Sequence, residues 1–337
     1  MKLKKGVNIG GYLSQCEYKK EHYDEFICEQ DVKKVKNMGF DHMRLPVDAC
    51  VLVTENGGVI ESGFAYVDRM VEWAEKYGLD VIIDIHKAYG YDFNDAGTEA
   101  NSLFGSEAGK QALEDLWSII AKRYGKCDNV AFELLNEVVE EELAGPWNEL
   151  SKRLIRAIRK ESEAPIIYGG VQWNSAMTVK KLEKPEFDNV IYTFHFYEPI
   201  IFTHQKAYWV KNMDMERDVE YPATMEYYRE VSKTLGYQGE AAVKAKATVM
   251  GPQFIEELIE DAVSAAKKNG VRLYCGEFGV IDRAPVEDTL RWFKDVDDVF
   301  RKYDIGYSIW SFKKMDFGIT DEHYAPIIDE LCRVWNR

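Results

Sequence analysis

Cysteine is sparse and scattered. The six residues at 16, 28, 50, 127, 275 and 332 include no C-x₂-C pair and no close Cys/His group. Such spacing builds neither a zinc site nor the dense disulfide framework of a small secreted domain, so free thiols and no metal are expected. No apolar run is long enough to span a bilayer. The opening Met1-Lys2-Leu3-Lys4-Lys5-Gly6 lacks the apolar stretch and small-residue cleavage site of a secretory leader. As written, the chain is expected in the cytoplasm, or secreted if a leader has been trimmed away.

Positive charge is in deficit: 43 Lys and Arg stand against 58 Asp and Glu, a net charge of −15. Nucleic acid and anionic membranes need cationic groups to neutralise phosphate, so neither is expected as a partner. Phosphate-cradling motifs are missing too. Gly10-Gly11 does not extend to G-x-G-x-x-G, and no Gly-x₄-Gly-Lys-Ser/Thr occurs. The G-x-S-x-G of a serine hydrolase is absent. The first strand-like segment, ending Asn8-Ile9-Gly10-Gly11, lacks the His-x-His pair of a barrel metal hydrolase. No cofactor is implied.

Short apolar runs alternate with helix-period segments. The runs are 5–9, 40–46, 79–86, 130–137, 165–170, 190–197, 271–278 and 305–312. Most are solidly hydrophobic, the mark of parallel strands covered on both faces. Apolar residues recur at helical spacing between them: Val67, Met70, Val71, Ala74 and Tyr77; Trp147, Leu150, Leu154, Ile155 and Ile158, opened by Gly145-Pro146; Ile255, Leu258, Ile259, Ala262 and Ala266; Leu290, Phe293, Val296 and Phe300. Eight strands with intervening helices point to one α/β domain over 1–337, a (β/α)₈ TIM barrel, rather than an open doubly wound sheet. The connection after the sixth strand is anomalously long, and 201–252 reads as an insertion subdomain on the catalytic face, before the sixth helix.

In such a barrel, functional groups stand at the carboxyl ends of strands. Six of the apolar runs end in polar or ionisable residues: Arg44-Leu45-Pro46, Asp84-Ile85-His86, Asn136-Glu137, His195-Phe196-Tyr197, Gly276-Glu277-Phe278 and Trp310-Ser311. Taken singly, Arg44 reads as a surface ion pair and His86 as a core histidine. Together they form a ring of chemistry. Glu137 and Glu277 suit a retaining glycosidase, in which one carboxylic acid protonates the leaving oxygen while a carboxylate attacks the anomeric carbon. The charge of one would raise the pKa of the other. His195 and Tyr197, two apart on a strand, face the same way. Adjacent Asn136 and Glu137 can both reach the site only if their strand loses regularity. Aromatics at 13%, with 8 Trp and 20 Tyr, offer flat surfaces for sugar rings, Trp173 and Trp209 among them.

Arg44-Leu45-Pro46, Leu135-Asn136-Glu137, His195-Phe196-Tyr197, Gly276-Glu277-Phe278-Gly279 and Trp310 together resemble the signature set of glycoside hydrolase family 5, a cellulase and mannanase family. The likeness covers nearly the whole chain in order. His195-Phe196-Tyr197-Glu198-Pro199 and Phe202-Thr203-His204-Gln205 narrow it to clostridial-type endoglucanases within that family. The resemblance implies Glu137 as acid/base and Glu277 as nucleophile, with Arg44 and Tyr197 holding the nucleophile. Asn136 would bind the sugar 2-hydroxyl, His195 would support the acid/base, and His86 would line the cleavage subsite. Trp310 would be the stacking platform there, followed by a cis peptide to Ser311. Lys87 follows His86 where such relatives carry a second histidine, which would place a cation beside the cleft. The expected activity is endo-β-1,4-glucanase, with β-mannanase or glucomannanase as the alternative and a non-catalytic sugar-binding barrel as the reading from another class. Its partners would be β-glucan or β-mannan polysaccharides and oligosaccharides, taken up by a monomer.

Overall fold

The computed structural model describes every residue from Met1 to Arg337. Eight strands are hydrogen-bonded in sequence order: β1 (Lys5–Asn8), β2 (His42–Asp48), β3 (Asp80–Lys87), β4 (Val130–Glu133), β5 (Ile166–Gly169), β6 (Val190–Phe196), β7 (Arg272–Phe278) and β8 (Gly306–Ile309). All pairings are parallel, and β1 pairs with both β2 and β8, which closes the ring. The expected (β/α)₈ barrel is the fold.

Residue alternation along the strands divides the interior in two. Val81, Ile83 and Ile85 of β3 belong to the main core, between the barrel and its helices. Ile82 points the other way, into a small plug with Leu3, Ala131, Ile167, Ile191 and Tyr274. This plug is the apolar floor of the barrel. Two-residue steps from Ile82 then bring Asp84 and His86 to the same inner face, above the floor.

The expected helical stripes face inward: Val67, Met70, Val71 and Ala74 are buried on the helix Glu61–Tyr77, as are Leu290, Phe293, Val296 and Phe300 on Val286–Lys302. The helix carrying Pro146 begins at Ala144, so the proline is its third residue rather than its first. It loses nothing there, because the first turn has no internal acceptor for its N–H groups. After β5 the expected full helix is reduced to a tight turn at Ala176–Lys181. β4 ends at Glu133, four residues short of the apolar run that suggested it.

The 201–252 segment has short helices of its own, at Met225–Ser232 and Glu240–Lys244, with Ile200–Thr203 at its entry. Phe202, Tyr221, Met225 and Tyr228 are buried beneath it. Tyr221 fastens it to the helix Val286–Lys302: its N–H donates to Asp288, its hydroxyl to Asp295, and its carbonyl accepts from Arg291. The Trp310–Ser311 peptide is cis, as the resemblance implied, and so are Glu198–Pro199 and Tyr221–Pro222.

Candidate active site

Arg44 is wholly buried on β2, so it is no surface ion pair. All five of its N–H donors are used. Nε and Nη2 grip Glu133 side by side at 2.8 Å each, Nη1 donates to Asn8 at 3.0 Å and Glu277 at 2.7 Å, and Nη2 also reaches Asn136 at 2.8 Å. Asp84 lies 3.1 Å from Nη2. Burial alone would lower the guanidinium pKa, but Asp84, Glu133 and Glu277 outweigh it and raise it. A planar fork with fixed donors suits this role, where a lysine's point charge would not.

Glu277 comes from β7 at a bulge. Phe194 of β6 pairs with Cys275 and His195 with Glu277, so Gly276 is the extra residue. A Cβ there would lie 3.0 Å from the Thr193 hydroxyl and 3.1 Å from His195 Nε2, which explains the glycine. The bulge turns Glu277 into the barrel mouth. Arg44 holds its Oε1, and the Tyr197 hydroxyl donates to its Oε2 at 2.9 Å. Burial, reinforced by Glu277, pushes the Tyr197 phenol well up, so it stays a donor.

Glu137 reaches the same space because the chain leaves regular β geometry after Glu133. Leu134 still donates to Ile167, whereas Asn136 donates back to Ile85, and this irregular path lets adjacent Asn136 and Glu137 both face the site. Glu137 Oε1 lies 2.7 Å from His195 Nδ1, which is 3.6 Å from Glu277 Oε2. Carboxylate oxygens of the two glutamates and a ring nitrogen of His195 all fall within 4.8 Å of one another. His195 and Tyr197 do share a face.

Burial raises Glu137 to about 7, against Arg44, and Glu133 adds to the rise. The expected source, the charge of Glu277, is not the one that acts; burial is. His195 is lowered to about 4, chiefly by burial, so it is neutral at pH 7 and its Nδ1–H can donate to Glu137. Glu133 is raised by burial above the apolar floor, and Asp84 rises to about 7 for the same reason.

His86 faces the cleft from β3. Its Nδ1 lies 2.7 Å from Asp84 and its Nε2 3.3 Å from the Gln15 amide nitrogen. Burial lowers it to about 4, and the neutral tautomer with hydrogen on Nδ1 satisfies both contacts. The ring lies parallel to Trp310, 4° between planes and 5.8 Å between centroids. Gly10 makes room for this indole, since a Cβ there would sit 2.9 Å from the ring.

The cleft above these groups holds roughly 650 Å³. Trp173 and Trp209 line it, 37% and 44% exposed, so neither is a core residue. Gln172-Trp173-Asn174 and Lys314-Met315-Asp316 both run through left-handed backbone, an expensive conformation for non-glycine residues, and present Trp173 and Met315 to the cleft. Lys87 departs from expectation. It points away from the glutamate pair into a neighbouring groove, where Asp92 at 2.6 Å neutralises it over the Phe93 ring. One residue past His86, it faces the other side of the strand.

The sequence does not single out Asn8 and Glu133, and it marks Asp84 at a strand end without showing its role. A charged residue in an otherwise apolar run, Val130-Ala131-Phe132-Glu133, was the available signal. Gln15 and Glu198, from loops, and Tyr237, from the short 3-10 stretch Lys233–Gly239, also line the cleft where no periodicity marks them. Glu137, His195 and Glu277 have the spacing of a metal site. The Arg44 guanidinium already donates to Glu277 there, and a divalent ion at that carboxylate would sit against a fixed cation.

Comparison with known proteins shows the family. The profile of Cellulase (glycosyl hydrolase family 5) matches residues 4–316. Endoglucanase C of Acetivibrio thermocellus is 37% identical over 341 residues, covering 99% of this chain and 98% of that protein. Cellodextrinase A of Ruminococcus flavefaciens is 41% identical over 303 residues, covering 89% of this chain and 83% of its own. The structure of Thermotoga maritima Cel5A with mannotriose superposes at a TM-score of 0.75 and 26% identity, covering 99% of this chain and 97% of that one.

Proposed function

We propose that this chain, which belongs to glycosyl hydrolase family 5, the cellulase family, is a retaining endo-β-1,4-glucanase acting through Glu277 and Glu137. The observation that carries the reading is the pair itself: two carboxyl groups with oxygens within 4.8 Å of each other, one gripped by Arg44 and Tyr197, the other raised by burial to about 7. Inverting enzymes hold their carboxyl groups about 6.5–9.5 Å apart to admit a water, and retaining enzymes about 5–5.5 Å apart. Oxygens within 4.8 Å support retention.

In the first step Glu277 attacks the anomeric carbon and the glycosidic C–O bond breaks. The leaving oxygen takes the proton of Glu137, leaving a glycosyl ester on Glu277. In the second step water adds to the same carbon, Glu137 takes its proton, and the ester bond to Glu277 breaks. His195 keeps the Glu137 carboxyl aimed in both directions. Asn136, whose amide oxygen is occupied by Arg44, has its NH₂ left for a sugar hydroxyl. Trp310 provides the flat surface under the sugar being cleaved.

Glucan is favoured by the names of the endoglucanase and cellodextrinase relatives. No lysine or arginine lines the cleft, which suits a neutral chain. A second reading, β-mannanase or glucomannanase on the same site, has one specific support: the related Thermotoga maritima structure with mannotriose. Reducing-sugar release from lichenan, carboxymethylcellulose, glucomannan, mannan and laminarin, with products resolved by size, tests both. Mixed oligomers released fastest from the β-1,4-glucans are expected. Preference for mannan would move the assignment to the second reading, and silence on all five would overturn the enzyme.

A further inference from the structure

Tyr197, which holds Glu277, is followed by a carboxyl group the mechanism does not use. Glu198 lines the cleft, and its one side-chain hydrogen bond is to the Ile200 N–H, at 3.2 Å. No lysine, arginine or histidine comes within ion-pair distance of it. The other carboxylates of the cleft are accounted for. Glu141 is paired with Lys181, Glu240 with Lys244 and Asp316 with Arg283, while Glu137 and Glu277 belong to the Arg44 network. Glu198 is the one carboxyl group of the cleft without a cationic or histidine partner. Its side chain is half-buried on the cleft wall, where a ligand can reach it.

Its surroundings indicate the ligand. Glu198 lies near enough to the Tyr237 hydroxyl to act on it electrostatically, and Tyr237 faces Trp173, their ring centroids 6.1 Å apart. Trp173, Met177, Tyr208, Trp209 and Tyr237 are all large, exposed and on the cleft wall. Exposed apolar side chains gathered on one wall mark a binding surface. This wall is built by the segment after β5 and by the 201–252 insertion, away from Trp310 and His86. Asn174, next to Trp173, donates its side-chain amide to the carbonyl of Asn136 at 3.4 Å, so the wall begins next to Glu137, the group that protonates the leaving oxygen, and the departing sugar falls against it.

We propose that Glu198 is a substrate-binding residue for the leaving-side sugar, accepting hydroxyl hydrogen bonds from a ring held against Trp173 and Tyr237. The proposal rests on the glycosidase reading and adds to it what recognises the departing half of the chain. Burial raises the Glu198 carboxyl to about 7, as expected of an acceptor awaiting its donors.

The test compares two substrates on the full-length enzyme. Cellopentaose fills the leaving side with sugar, whereas 4-nitrophenyl β-cellobioside places only a phenol there. Loss of the hydrogen bond is expected to raise KM for cellopentaose about 3- to 10-fold in Glu198→Ala, with a smaller rise in Glu198→Gln. Glu198→Gln keeps an acceptor for the Ile200 N–H and so controls for folding. On the aryl cellobioside kcat/KM should stay within about twofold of wild type in both variants. Equal losses on the two substrates, or an unchanged KM for cellopentaose, would overturn the proposal. If the wild type cuts mannopentaose and spares cellopentaose, the glucan reading fails instead, and the same comparison with mannopentaose decides the role of Glu198.

Discussion

Arg44 Nη1 donates to Glu277 Oε1 at 2.7 Å, from a side chain with no solvent exposure. The contact is one of five donor positions fixed by Glu133, Asn8 and Asn136, so the orientation of Glu277 is set by residues on β1, β2 and β4. Replacing Arg44 by lysine keeps the charge and removes the fork. Glu133 and Asn136 would lose donors they cannot replace in a dry interior. Breaking a buried pair of this kind costs about 3–5 kcal/mol. Arg44→Lys is expected to lower unfolding stability in urea by that order and to reduce kcat at least about 100-fold, since misplacing a reacting group is costly. Near-normal kcat would mean that Arg44 does not orient Glu277.

Glu137 is raised from 4.5 to about 7, and glycosylation needs its proton. The rate should therefore hold on the acid side and fall as pH rises through about 7. A plot of kcat/KM for an oligosaccharide against pH is expected to show this alkaline limb. Glu137→Gln, assayed on an aryl glycoside whose leaving group needs no proton, should lack it. A limb that persists in the variant would belong to another group.

The same shift has a consequence for stability. A carboxyl group whose folded pKa lies above its unfolded value favours folding fully below pH 4.5 and loses that contribution as pH rises through about 7. A glutamine behaves like the protonated form at every pH. Glu137→Gln should therefore be more stable than wild type at pH 8, by up to about 3 kcal/mol, and nearly equal to it at pH 4. Urea unfolding at the two values checks this, and a variant less stable at pH 8 would contradict the buried environment.

Charge in the cleft bears on substrate choice. Among its lining residues six are carboxylic acids and none is lysine or arginine: Glu137, Glu141, Glu198, Glu240, Glu277 and Asp316. Four of them have cationic partners, but the protein as a whole carries a net charge of −15, so anionic substituents on the polymer meet long-range repulsion. Activity on carboxymethylcellulose is expected to fall as its substitution rises, and to recover partly in salt, whereas lichenan hydrolysis should change little. Salt dependence equal for both polymers would argue against an electrostatic filter.

Much of this site could be read along the chain because parallel strands convert sequence order into spatial order. His195 and Tyr197 face together because two residues are one strand period, and Arg44, His86 and Glu277 meet because each stands on a strand of one ring, which Glu137 joins from the irregular segment after β4. The deeper partners were harder to see. Glu133 and Asp84 lie inside apolar runs, and their value depends on Arg44 reaching across the barrel, a distance no local pattern encodes. The acid's high pKa was anticipated, but its main source, burial, is a property of packing. Lys87 was misplaced because its side of the strand was not weighed against that of His86. Glu198, Gln15 and Tyr237 sit on irregular backbone, where side-chain direction follows from turns that composition does not specify.

The most direct test of the double-displacement account is to trap its intermediate. A 2-deoxy-2-fluoro β-cellobioside with a good leaving group should inactivate the enzyme with a single burst of leaving group, and peptide mapping should find the fluoroglycosyl ester on Glu277. An ester on Glu137 or on any other carboxyl group, or turnover that releases the inverted sugar without labelling, would contradict it.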